Sequence, residues 1–91
     1  ALGRRYWLGY GFWKEAVYER DGHTCVICGR GNSLRAHHKD NFHEFEDRRT
    51  DVSNGATLCV DCHDEFHRMY GRKGNTSDQF AEFCVQKMRA V

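Results

Sequence analysis

The 91-residue sequence has no proline and no long apolar run, so no transmembrane helix is expected. It shows no signal-peptide pattern either. Ala1–Gly11 carries Arg4, Arg5 and three glycines where an apolar segment would be needed. There is no internal repeat and no low-complexity segment. Net charge is also nearly absent, at +1, so any nucleic-acid partner must be held by a local basic patch. Candidate patches are Arg4 with Arg5, Arg35 with Lys39, Arg48 with Arg49, and Arg68 with Arg72 and Lys73. Size is lacking too. A chain of this length makes one small domain whose core contributes only a few kcal/mol, so a metal staple would matter. Further domains or protein partners outside the chain are compatible with its start at Ala1.

What is present is cysteine and histidine in order. The chain opens a motif with Cys25-Val26-Ile27-Cys28-Gly29 and closes it with Leu58-Cys59-Val60-Asp61-Cys62-His63. Four cysteines could make two disulfides. The odd total of five and the two C-x-x-C pairs fit a Cys₄ zinc site in a reducing, cytoplasmic compartment better. Cys84 lies outside the pattern and reads as a small buried hydrophobe.

Residues 1–11 read as an N-terminal arm whose Tyr6, Trp7 and Tyr10 pack on the domain or stack on bases. Residues 12–20 read as a helix with Trp13, Ala16 and Val17 inward, stopped by Asp21-Gly22. His23 and His43 read as surface residues. Leu34–Lys39 and Ala56–Cys59 read as strands, with a polar loop from Asn41 to Asp51 between them. Asp61 suits the N-cap of a helix from Cys62 to Tyr70, ended by Gly71. On that helix Cys62, Phe66 and Met69 share one face, while His63 and His67 share another. Thr76 with Gln79 forms a capping box for a last helix, within residues 76–89, that buries Phe80, Phe83, Cys84 and Met88.

The thirty residues between the cysteine pairs exceed a usual zinc-ribbon insert. A Cys₄ site needs no histidine, so His37, His38, His63 and His67 are available for other chemistry. Phosphodiester hydrolysis needs a base, a divalent cation and something to hold the base in place. Imidazole suits the first and can ligate the second.

Arg20-Asp21-Gly22, Leu34-Arg35-Ala36-His37-His38, Asn54-Gly55-Ala56-Thr57-Leu58-Cys59 and Cys62-His63 with His67 occur in that order. Over Arg20–Tyr70 the sequence resembles the HNH endonucleases, the zinc-stapled branch of the His-Me finger (ββα-metal) superfamily. The Tyr70-Gly71 and Gln79-Phe80 region is similar to extensions of phage-encoded members. The resemblance implies a small α+β fold: a ββα-metal core over residues 25–70, stapled by zinc on Cys25, Cys28, Cys59 and Cys62, with flanking helices. It implies that His38 is the general base and Asn54 orders the loop that holds it. His37 and His63 become ligands of a catalytic ion: Mg²⁺ or another divalent ion such as Mn²⁺, Ni²⁺ or Zn²⁺. His67 is either a further ligand or a supporting or DNA-contacting residue. His37 stands where many members have aspartate, which leaves the preferred metal open. Adjacent residues of a regular strand point to opposite faces, so His37 and His38 can share a site only where the strand ends or distorts.

Two functions follow. One is a metal-dependent DNA endonuclease, nicking or cutting both strands, with Arg35, Lys39, Arg68, Arg72 and Lys73 on DNA. The other is a catalytically silent, zinc-finger-like nucleic-acid-binding module. The second leaves His37, His38, Asn54 and His63 without a purpose.

Overall fold

The computed structural model describes residues 9–89; Arg4, Arg5, Tyr6 and Trp7 of the expected arm lie outside them. Two antiparallel strands, β1 (Leu34–His38) and β2 (Gly55–Cys59), pair Leu34 with Cys59 and His38 with Gly55. Three helices surround them: α1 (Tyr10–Arg20), α2 (Val60–Tyr70) and α3 (Ser77–Arg89). The chain is thus a small α+β fold with a ββα centre, as expected. β1 stops at His38, one residue short of the reading from sequence.

Every residue of β2 is buried, because helices cover both of its faces. Ala56 and Leu58 join Cys25, Cys59, Cys62, Phe66, Phe80 and Phe83 in the core beneath α2 and α3. Gly55 and Thr57 face α1. A methyl group on Gly55 would collide with Val17 and lie 2.9 Å from Cζ2 of Trp13. Only a bare Cα therefore lets α1 lie this close to the strand. Arg20 locks the contact by donating to the carbonyls of Val52 (2.9 Å) and Gly55 (2.7 Å). Asp21 accepts from the Thr57 backbone N–H at 3.0 Å. The Arg20-Asp21 pair is thus a buttress as well as a helix stop.

Several boundaries shift. α1 begins at Tyr10, so Tyr10 and Gly11 belong to a helix rather than an arm. α2 begins at Val60, and its cap is not Asp61 but Cys59, whose Sγ accepts from the Cys62 N–H. Asp61 is exposed in the first turn and pairs with Arg30 at 2.8 Å. Met69 is 46% exposed and Met88 74% exposed, although Met69 was placed on the helix face of Cys62 and Phe66 and Met88 in the buried stripe of the last helix. Tyr70 takes over from Met69 by packing on Phe66, with centroids 5.0 Å apart. Met88 lies in the last turn of α3, past the core residues Phe80 and Phe83. The capping box forms as read: Thr76 Oγ1 accepts from the Gln79 N–H and Gln79 Oε1 from the Thr76 N–H.

Candidate metal centre and catalytic cleft

The two knuckles meet beside the sheet. The Sγ atoms of Cys25, Cys28, Cys59 and Cys62 all lie within 4.8 Å of one another, and those of Cys28 and Cys59 are 3.7 Å apart. Tetrahedral Zn²⁺ with bonds of about 2.3 Å holds its sulfurs about 3.8 Å apart, so the four thiols fit one zinc ion. Their electrostatics agree. Burial opposes ionisation of Cys25, but backbone N–H donors overcome it and bring the thiol down to about 7. Burial and the Cys59 thiol raise Cys62 strongly. Four such groups ionise together only around a cation. Cys84, half-buried, stands apart.

A second cluster forms where β1 meets α2. Ligand nitrogens of His37, His63 and His67 lie within 4.8 Å of one another. His63 and His67, one turn apart on α2, bring their Nε2 atoms to 3.2 Å. Two nitrogens bound to one ion at about 2.0–2.1 Å sit about 3.2 Å apart when the angle is near 100°. His67 Nδ1 donates to the Gly71 carbonyl at 2.8 Å, which fixes the tautomer and makes Nε2 the ligating atom. His37 is only 4% exposed, and its Nε2 has no hydrogen-bond partner among the described residues. A buried imidazole nitrogen without a partner costs free energy unless something binds it. Burial, with repulsion from His63 and His67, holds His37 well below the usual histidine range. Burial first, then His67, brings His63 down to about 4. Both rings are therefore neutral near pH 7, the form that binds a metal. The donor set fits one divalent ion.

His38 is not in this cluster. The strand alternates, so His37 faces Phe66 of α2 (centroids 4.8 Å) while His38 faces Trp13 of α1 (3.8 Å). Both histidines nonetheless line one cleft of about 510 Å³, which runs along β1 from Leu34 to His38. His38 Nε2 lies 3.0 Å from the Arg49 carbonyl. A carbonyl can only accept, so Nε2 carries the proton and Nδ1 is the basic nitrogen of the neutral ring.

Asn54 is fully buried and holds the loop that supplies this carbonyl. Its Oδ1 accepts from the Asp40 N–H (2.9 Å) and Arg48 Nη2 (3.2 Å). Its Nδ2 donates to the carbonyls of Asp40 (3.0 Å) and Arg48 (3.2 Å). All four bonding positions of the carboxamide are used. Arg49 Nε donates to the Phe42 carbonyl at 2.7 Å, closing the loop beside His38.

The basic candidates divide. Arg35 and Arg72 line the cleft. Lys39 is drawn to the Ser53 carbonyl at 3.1 Å. Arg68 is exposed but outside the cleft, and Lys73 lines a neighbouring hollow. Arg48 and Arg49 are occupied within the loop. His43, expected on the surface, is exposed at the cleft rim. Tyr10, read as packing on the domain or stacking on bases, lines the same cleft, together with Lys14 and Tyr18, which were missed from sequence. Their spacing of four residues along α1 is the signal that marks one helix face. Asn75 was also missed: it donates to the Gly71 carbonyl that accepts from His67.

The family model described as HNH endonuclease matches residues 25–69. No curated protein and no solved structure matches the chain significantly.

Proposed function

The chain belongs to the HNH endonuclease family through residues 25–69, and from that premise we propose that it is a metal-dependent DNA endonuclease. The observation that carries the reading is the three-imidazole cluster sharing a cleft with a fourth imidazole oriented by a backbone carbonyl. His37, His63 and His67 would hold the catalytic ion, which supplies positive charge to the phosphate and to the leaving oxygen. The cluster contains no carboxylate, and an all-imidazole set suits Zn²⁺ or Ni²⁺ better than Mg²⁺ or Mn²⁺. His38 Nδ1 takes a proton from water as the water oxygen bonds to phosphorus and the bond to the leaving oxygen breaks. Asn54 keeps the Arg49 carbonyl in place, and so keeps the proton of His38 on Nε2. Arg35, Arg72 and Lys14 line the path of the DNA backbone. Zinc on the four cysteines is structural, and a reducing compartment keeps those thiols available for it.

Cleavage of supercoiled plasmid tests this, with Ni²⁺ or Zn²⁺ added or held back by a chelator too weak to strip the cysteine site. His38→Ala is expected to lower cleavage by about 10²–10⁴-fold, the size of a general-base contribution, with DNA affinity and zinc content unchanged. His63→Ala should lose activity that high metal concentration partly restores. Near-normal cleavage by His38→Ala overturns the base. A wild-type protein that binds DNA but never cuts it leaves the silent zinc-stapled binding module.

A further inference from the structure

Outside the family-matched stretch, α1 presses an aromatic ring against the proposed base. The indole of Trp13 lies parallel to the imidazole of His38, with centroids 3.8 Å apart and planes 9° from coincident. Two contacts that do not involve His38 immobilise the indole. Its Nε1–H donates to the Asp51 carbonyl at 2.9 Å. Its edge lies on Gly55, where a Cβ would intrude to 2.9 Å. Gly55 is also the cross-strand partner of His38, so the residue that admits the indole sits opposite the base.

A hydrogen bond from Nε2 to the Arg49 carbonyl anchors one atom of the imidazole but not its plane. Rotation of the ring about the axis through Cβ and Nε2 would displace Nδ1. A parallel ring at van der Waals distance blocks that rotation, because it drives the edge of the imidazole into the indole. Phe42, edge-on at 5.3 Å and 75°, bounds another side.

We propose that Trp13 is a positioning residue for His38, setting the plane of the imidazole and hence the direction of Nδ1. This rests on the reading of His38 as the base. It distinguishes Trp13 from Val17, which is equally buried in α1 and also packs on Gly55 but offers no ring to His38.

The test compares single-turnover cleavage, KM, DNA affinity, metal content and Tm for Trp13→Leu, Trp13→Phe and Val17→Ala. Trp13→Leu should lower kcat by about 10–10²-fold, the usual effect of a misdirected catalytic group, with KM and DNA affinity nearly constant. Trp13→Phe keeps a stacking ring but loses the tether to Asp51, and should recover most of that loss while staying about threefold or more below wild type. Val17→Ala should lose Tm while keeping kcat. In the His38→Ala background, Trp13→Leu should have no further effect, because its influence passes through the imidazole. If Trp13→Leu does not fold, Trp13→Phe and the His38→Ala double variant carry the test. Wild-type kcat for either Trp13 variant overturns the proposal, as do kcat losses that follow Tm equally at Trp13 and Val17. An equal further loss in the His38→Ala background overturns it while leaving His38 as the base. Wild-type cleavage by His38→Ala instead fails the base assignment itself, so the two failures are told apart.

Discussion

At the scale of single residues, burial sets the protonation of His37 and His63. His63 is brought to about 4 from an ordinary 6.5. Between those values the unfolded chain takes up a proton that the folded chain refuses. The stability contributed by a neutral His63 is therefore complete above about pH 6.5 and is lost as pH falls towards about 4. With the three-imidazole site free of metal, the ring protons of His63 should titrate in NMR with a midpoint near 4. Urea unfolding midpoints should fall on acidification, and His63→Gln should remove part of that fall. A His63 midpoint at the ordinary value would contradict the buried, neutral ring.

At the scale of elements, the segment between the strands is ordered by one side chain rather than by regular structure. Residues 39–53 contain only two single-turn 3₁₀ helices, the second reaching Asn54. Asn54 ties the loop at Asp40 and Arg48 through four hydrogen bonds. Asn54→Ala leaves buried backbone groups unsatisfied and should cost about 2–4 kcal/mol of stability. It should lower cleavage at least about tenfold, since the Arg49 carbonyl that orients His38 lies in the released loop. Zinc content should not change. Calorimetry, cleavage and elemental analysis on one preparation check all three effects, and wild-type activity would remove the loop-ordering role.

At the scale of the whole molecule, the cysteine cluster joins parts that the strands alone would not hold. Cys25 and Cys28 come from the loop before β1, Cys59 ends β2, and Cys62 opens α2. Cys25, Cys59 and Cys62 also belong to the core with Phe66, Phe80 and Phe83. A two-stranded sheet is marginal by itself, and metal binding of this kind is part of the folding free energy. One zinc per chain is expected, and a strong chelator should unfold the domain cooperatively, followed by far-UV circular dichroism. Cys84→Ser should leave the stoichiometry at one. Folded, zinc-free protein would refute the staple.

The ββα centre, the Cys₄ cluster and the set of histidines were legible in the sequence because each rests on local spacing. C-x-x-C turns two thiolates onto one ion, i and i+4 place His63 and His67 on one helix face, and Thr76 with Gln79 caps its own helix. The same local rules misjudged Met69, Met88 and the Asp61 cap, where the neighbours decide. Phe66 packs on Tyr70 rather than Met69, and the sulfur of Cys59 takes the N-terminal N–H before Asp61 can. What joined His37 to α2 and His38 to α1 was decided only by the tertiary structure. Strand alternation sends the two rings to opposite faces, and only the helix packed on each face determines what they meet. Trp13, twenty-five residues before His38, carries no sequence mark of that meeting. Its place against the imidazole follows from the bare Cα of Gly55, which lets α1 approach the sheet.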